Sequence, residues 1–376
     1  MDITLSHPLL GGLSPQAFMR GHWQKKPLLI RQAIPHVAPV VSRAQLFELA
    51  SRDDVESRLV QRDKGRWAMR QGPLPRRALP ALKRPGWTLL VQGLDLHVDA
   101  AHELLARFRF VPDARLDDVM VSYASHGGGV GPHIDSYDVF LLQVQGNRRW
   151  RIARNIDPTL DPHVPLKVLV NFVAEEEWLL EPGDMLYLPP GWAHEGVAEG
   201  ECMTCSIGFQ AARRGDIGRQ VLQRWVDAAE AAEADPLYRD PRQAATDEPG
   251  LIPPALQAFA FDAVKRGLAD HEGLACALGE VLSEPKPRVS FDAASALPGV
   301  CGVRLDRRTR MMYDASFVFV NGESFRAAGR DAKLMRRLAD LRLLRPSETQ
   351  GLSKAAFELL SLWAEAGWLH ADVNLR

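Results

Sequence analysis

Apolar residues recur every second position through the middle of the chain and at helical spacing toward its end. The two periods predict a β-rich centre followed by helices. Before the centre, Ser14-Pro15 opens a helix whose buried stripe carries Phe18 and Trp23. Pro27 to Ile30 reads as a short strand, and Ser42 caps a second helix running to Ala50. Val55–Val60, Trp67–Met69 and Trp87–Gln92 read as strands between polar or Pro/Gly turns, and Asp99–Phe108 as a helix.

The central block opens with a strand over Asp118–Ala124. Alternation places Asp118, Met120 and Ser122 on one face and Val119, Val121 and Tyr123 on the other. Tyr137–Gln145 continues in β pattern. Gly146-Asn147 carries the residues of a hairpin turn, so Arg148–Ile152 is expected to return as a separate strand. Leu179–Pro189 reads as strand, turn, strand, and Cys202–Phe209 as the last strand of the block. Many short strands with Gly/Pro turns predict a sandwich or barrel instead of βαβ repeats. Near Arg213 the pattern turns helical: Asp216–Ala234 and Ala255–Leu282 are helices, joined by a Pro/Asp-rich connection. Glu284–Pro287 reads as a linker. Beyond it, Phe317–Val320 with Asn321-Gly322 predicts a hairpin, and Arg330–Leu344 and Ser353–Ala366 predict helices.

Composition changes this picture little. At 376 residues, with 46% hydrophobic and 25% charged residues, the chain is expected to fold as two or three globular domains. A net charge of −1 advertises neither a nucleic-acid nor a membrane partner, and direct nucleic-acid binding is not expected. Only the end from Lys286 is mildly basic, with 15 Lys and Arg against 10 Asp and Glu. Four scattered cysteines make no disulfide framework. With no signal-peptide pattern at Met1–Leu10 and no run long enough to span a bilayer, the expected location is cytoplasmic.

The chemistry is concentrated in Gly127-Gly128-Gly129-Val130-Gly131-Pro132-His133-Ile134-Asp135, completed by Pro189-Pro190-Gly191-Trp192-Ala193-His194-Glu195. His133 and Asp135 are two apart, so on a strand both face one way and can chelate one ion. His194 supplies a third ligand. Two His and one carboxylate leave open positions on a metal, the arrangement of non-haem Fe(II) oxygenases; zinc accepts similar sets and is the rival. The glycines do not make a phosphate loop, because Pro132 and a ligand strand follow where a helix N-terminus would be needed. They are expected to let backbone approach closely or a lid move. Alternation puts Arg148 on one face with Trp150. An inward arginine needs an anion, which a dicarboxylate co-substrate or a structural acid can supply equally well. Cys202 and Cys205 lie on opposite faces of a strand and read as packing residues. His126 and His163 read as loop histidines, and Glu175–Glu177 as a solvated run.

Residues 127–140, Arg148–Arg151, Leu180–Gly196, Ser206–Phe209 and Trp23–Leu28 together resemble the bacterial JmjC-type ribosomal oxygenases. The resemblance is dense over residues 1–213 and looser beyond. It implies a double-stranded β-helix (cupin/JmjC-like) core over 1–213, a helical dimerisation domain over 214–285 and a small winged-helix-like α+β domain over 286–376. It implies iron on His133, Asp135 and His194, which would be the catalytic residues, and 2-oxoglutarate and dioxygen as co-substrates. It implies that Arg148 pairs with the distal carboxylate of 2-oxoglutarate, with Ser122 and Thr204 helping. Thr204 departs from a relative that carries Asn there. Asp118, Tyr137 and Met120 would meet the substrate, an arginine of a large-subunit ribosomal protein (the sixteenth), which a homodimer would hydroxylate at a side-chain carbon. Histidine hydroxylation, lysine demethylation and a metal-dependent regulator with a DNA-binding winged helix are the alternatives.

Overall fold

The computed structural model describes residues 2–154, 157–229, 237–241, 245, 250–326 and 328–372. Its described residues form two compact units: one of residues 1–211 with 288–290, the other of 212–287 with 291–376.

The first unit opens on helix α1 (Pro15–Gly21), capped by the Ser14 hydroxyl, which accepts from the Ala17 N–H at 3.1 Å. Strand β1 (Leu28–Ile30) follows, then α2 (Arg43–Leu49), where Ser42 and Gln45 form a capping box. Next come β2 (Ser57–Asp63), β3 (Arg66–Gln71), β4 (Trp87–Val91), α3 (Asp99–Ala106) and β5 (Leu116–Ala124). Strands β6 (His133–Ile134), β7 (Val139–Ala153), β8 (Glu176–Leu180), β9 (Met185–Leu188) and β10 (Ala193–Phe209) complete the unit. The strands make one sheet of order β1-β9-β7-β10-β5-β4-β2-β3, with β6 on β10 and β8 on β7. Every pairing in it is antiparallel.

One face of this curled sheet carries the main core. Val119, Val121 and Tyr123 of β5 join Phe18, Leu46, Phe47 and Leu104 of the helices there. Phe18, Phe108, Phe140, Tyr187 and Phe209 form the densest part, with neighbouring ring centroids such as Phe18–Tyr187 at 4.9 Å and Phe108–Phe140 at 4.9 Å. Each such phenyl, fully buried, contributes about 1.5–3 kcal/mol. The opposite face lines a pocket to which Val139, Leu141 and Trp150 of a smaller cluster contribute. The alternation predicted for residues 118–124 is the one observed.

The expected turn at Gly146-Asn147 is not a turn. Residues 139–153 form one strand, paired with β10 on both sides of that point. Gly146, at φ 60°, instead bends the strand where the register with β10 shifts between Glu199 and Thr204. Glycine in the left-handed region serves a bulge as readily as a hairpin, so the dipeptide alone does not separate the two.

The second unit begins with helices α4 (Arg214–Ala229), α5 (Pro254–Ala269) and α6 (His271–Ser283). Residues 230–234 of the first predicted helix, and residues 235, 236, 242–244 and 246–249 of the Pro/Asp-rich connection, lie outside the described residues. Two three-stranded sheets follow. One orders β11 (Val303–Leu305) between β15 (Leu343–Leu344) and β16 (Leu369–Ala371). The other joins β12 (Met311–Tyr313), β13 (Phe317–Val320) and β14 (Glu323–Arg326), the last two forming the predicted Asn-Gly hairpin. Helices α7 (Gly329–Leu341), α8 (Pro346–Thr349) and α9 (Lys354–Glu365) complete the unit. Its core includes Val303, Val320, Leu338, Leu360 and Trp363. The segments 214–285 and 286–376 cluster together because α6 packs on β12, β13 and β14.

Candidate metal and anion site

His133 sits on the two-residue strand β6, directly opposite His194 at the start of β10. Asp135 leaves the same strand end. One ligand atom from each of the three lies within 4.8 Å of the other two, and no other described trio of His, Cys, Asp or Glu converges in this way. The Asp135 carboxylate stands 3.9 Å from His133 Nε2 and 3.6 Å from His194 Nε2. Both rings are fixed from behind. His133 Nδ1 is 2.9 Å from the Gly131 carbonyl, and His194 Nδ1 is 3.1 Å from the Trp192 carbonyl. A carbonyl only accepts, so each Nδ1 carries the proton and each Nε2 turns a lone pair toward the cluster. Burial, aided by the nearby His133, lowers the His194 pKa to about 4, against the pull of Asp135. The His194 ring is therefore neutral at physiological pH, the form that binds metal.

Arg148 lies across the pocket floor on β7 and is 4% exposed. Its guanidinium is held by neutral groups alone: Nη1 donates to Ser122 Oγ at 3.0 Å and Thr204 Oγ1 at 3.3 Å, and Nη2 to the Gly196 carbonyl at 3.3 Å. It lies 5.2 Å from the Trp150 ring centroid. Its Nε has no partner, and no ion pair among the described residues includes it. Burial accordingly lowers its pKa from the usual value. The structural-acid reading of this arginine is thus excluded among the described residues, and a buried cation with only dipoles around it calls for an external anion.

Three adjacent strands make the cradle. In register, Thr204 of β10 faces Ser122 of β5 on one side and Gln143 of β7 on the other. Thr204 donates to Gln143 Oε1 at 2.8 Å, while Gln143 Nε2 donates to the carbonyls of Gln145 and Gly146 at 2.9 Å each. The hydroxyl hydrogen is committed to Gln143, so its lone pairs face Arg148. Thr204 thus bridges Arg148 and Gln143 in the structure. Arg148 also needs Gly196, since a Cβ there would lie 2.7 Å from Nε and 2.8 Å from the Trp150 ring. Gly129 crosses beside it, where a Cβ would fall 2.5 Å from the Gly196 carbonyl, so close approach is one reason for the glycine-rich run.

All nine site residues expected from the sequence line one cavity of about 540 Å³: His133, Asp135, His194, Arg148, Ser122, Thr204, Asp118, Tyr137 and Met120. Asp118 accepts from the Gly93 N–H at 2.8 Å. Burial, then the charges of Asp135 and Asp118, raises the Tyr137 pKa, so it stays a neutral hydroxyl. Sequence reasoning missed Arg58, Asp117 and Lys167 on the wall and Gln143 behind it. Arg58 shares a strand face with Val60, a signal that alternation could have supplied. Cys202 packs with Ala124 and Ala198 while Cys205 joins the main core, as opposite faces require. His126 accepts from the Gly200 N–H at 3.1 Å and is a loop residue.

A family model for the JmjC domain matches residues 103–217. Residues 103–217 are a JmjC domain. The chain is 40% identical over 195 residues to the ribosomal protein uL16 3-hydroxylase of Escherichia coli (strain K12), covering 52% of each chain. It is 26% identical over 241 residues to human ribosomal oxygenase 1, covering 59% of this chain and 37% of that one. The matched segment thus spans about half the length, or less, of these curated relatives. Superposition reaches further. The crystal structure of E. coli YcfD matches with TM-score 0.83 at 27% identity, over 96% of this chain and 98% of that one. A second YcfD structure, in complex with cobalt and 2-oxoglutarate, matches with TM-score 0.78 at 27% identity over 95% and 98%. The fold is therefore a cupin-like JmjC core with a helical segment and a small α+β end.

Proposed function

We propose that this chain is an Fe(II)- and 2-oxoglutarate-dependent oxygenase that hydroxylates a side-chain carbon of a large-subunit ribosomal protein, with arginine as the residue. The observation that carries the reading is the pairing, in one cavity, of the His133–Asp135–His194 trio with Arg148, a buried guanidinium lacking an acidic partner among the described residues. The donor set fits iron: two imidazoles and one carboxylate, with one side of the cluster facing the cavity. Iron with 2-oxoglutarate and dioxygen would supply the power to oxidise an unactivated C–H bond.

The chain's own residues do the positioning. Arg148 holds the distal carboxylate of the co-substrate, and Ser122 and Thr204 aim the guanidinium. That contact sets the length of diacid the cavity accepts. Elsewhere in the cavity lining, Asp118 and Asp117 offer carboxylates to an entering cation. Tyr137, kept protonated, can donate or accept there, and Met120 supplies an apolar surface for the methylene stem. The target carbon is thereby held near the metal while the charged head stays away from it. Relatives named for uL16 hydroxylation and a YcfD complex with 2-oxoglutarate support this reading. Incubation with Fe(II), 2-oxoglutarate and candidate ribosomal proteins, followed by peptide mass spectrometry, tests it. A retained added oxygen on arginine is expected. Oxygen on histidine would move the target, formaldehyde release would indicate demethylation, and no 2-oxoglutarate turnover with any candidate would overturn the assignment.

The reading extends to a cytoplasmic homodimer joined through α5, where Phe261, Val264 and Leu268 form an exposed apolar stripe. No described helix is long and apolar enough to cross a membrane. Light scattering on the purified chain checks the dimer; a monomer mass at micromolar concentration would refute it.

A further inference from the structure

The overall charge of −1 conceals a local excess. Residues 57–87 contain nine Lys and Arg and a single acid, Asp63. Five of the nine sit on the β2–β3 hairpin: Arg58, Arg62, Lys64, Arg66 and Arg70. The following segment adds Arg76, Arg77, Lys83 and Arg84. All except Arg58 are exposed. Only Arg84 has an ion-pair partner among the described residues, Asp63 at 3.5 Å. Arg62 lies over the Trp67 ring at 5.2 Å.

The position of this charge matters as much as its size. The hairpin is the free edge of the large sheet, since β3 ends the strand order. The same hairpin gives Arg58, Val60 and Met69 to the cavity wall, and the edge of Trp67 stands by Gly131, two residues before His133. Arg58 and Arg62 share the cavity face with Val60, whereas Arg66 and Arg70 lie on the other face of the hairpin, Arg70 opposite Leu59 of the main core, so a positive rim follows the sheet edge beside the site. One or two edge cations suffice to discourage strand-to-strand aggregation. That purpose does not account for Arg76, Arg77 and Lys83 beyond the edge, nor for the scarcity of acids. A rim of this sign repels a basic ribosomal protein, so its complement is a polyanion beside that protein. Seven of the nine cations are arginine, whose planar fork suits phosphate.

We propose that the β2–β3 hairpin and the segment to Trp87 form an RNA-backbone contact along the sheet edge beside the pocket, so that the substrate side chain is presented by a protein in company with RNA. The choice of RNA rests on the ribosomal-protein reading; the charged surface does not. Binding is sequence-independent, salt-dependent and separate from chemistry at the metal.

The test is fluorescence anisotropy of the full chain with a labelled RNA stem-loop over a salt series, alongside 2-oxoglutarate turnover on a short peptide. The wild type is expected to bind RNA with an affinity that falls steeply with salt. Arg66→Glu/Arg70→Glu should weaken binding at least tenfold and flatten the log–log salt slope by roughly one or more. It should leave peptide turnover unchanged. Arg76→Gln/Arg77→Gln, outside the sheet, repeats the test should the first pair disturb folding. Arg219→Glu/Arg266→Glu on the helices should change nothing. Absence of RNA binding by folded wild type at low salt, wild-type affinity in both the Arg66/Arg70 and the Arg76/Arg77 variants, or tighter binding of polyglutamate than of RNA would overturn the proposal. Lost peptide turnover with RNA binding intact would count against the hydroxylase reading alone.

Discussion

Two arginines show how differently the two units use buried charge. In the second unit, Arg308 donates through Nε to Asp306 at 2.8 Å, and His370 Nε2 lies 2.9 Å from the other oxygen of the same carboxylate. There, cations and acceptors satisfy one another within the fold. In the first unit, Arg148 is buried more deeply yet meets hydroxyls and a carbonyl, with no acid among the described residues. A self-satisfied network stabilises; one that stops short of neutrality is a receptor. This difference is what singles out Arg148 for the proposed co-substrate contact.

The largest expected effect removes the other half of the receptor. Asp135→Ala takes away one of three converging ligand groups and should abolish 2-oxoglutarate turnover; normal iron-dependent turnover in that variant would sink the metal assignment. Next comes Arg148→Ala, expected to weaken 2-oxoglutarate binding by about 2 kcal/mol, near 30-fold in Kd, while leaving metal affinity close to normal. Calorimetric titration would read both, and an unchanged co-substrate affinity would place Arg148 with Arg308 as a structural residue. Gly196→Ala should give a smaller loss of the same kind, about tenfold, because the new methyl displaces the Arg148 side chain. A crystal structure or titration showing Arg148 undisturbed would contradict it.

The smallest effect belongs to the second unit. Burial works to raise the Asp306 pKa, but hydrogen bonds from Arg308 and His370 outweigh it and hold the value at about 2, below its ordinary 3.8. A depressed carboxylate stabilises the fold above its unfolded pKa, and that contribution is lost as pH falls from near 4 through about 2. Partial exposure keeps it to about 1 kcal/mol. Asp306→Asn should flatten the acid limb of a denaturation-versus-pH curve in that window. An identical acid limb in the variant would mean that the network contributes nothing.

Much of the site was legible because strand alternation is local. Asp118, Met120 and Ser122 could be assigned to one face from neighbouring letters, and His-x-Asp followed by a distant His gave the ligand set. The two possible partners of Arg148 could not be separated, since the deciding fact is which groups surround its guanidinium. Gln143 was invisible for a related reason: its partner Thr204 is brought to it by sheet register, which no short window encodes. The Gly146 bend was misread because a left-handed glycine before Asn serves either a turn or a bulge. Whole-chain charge likewise averaged away the β2–β3 hairpin.

Strands β7 and β10 give one last consequence. His194 stands opposite Ile152 and Ala198 opposite Arg148, so the metal corner and the anion anchor are read off one antiparallel pair. A slip of two residues would keep every side chain on its proper face and still displace the anchor by about 7 Å. Such a slip would also exchange inward neighbours of unequal size, Trp150 with Ile152 among them, so packing and anchor geometry select the same register. The irregularities between Glu199 and Thr204 act as notches on a ruler, allowing one alignment only. Under the proposed function, selectivity for the length of the diacid would depend on this backbone register as well as on the pocket side chains.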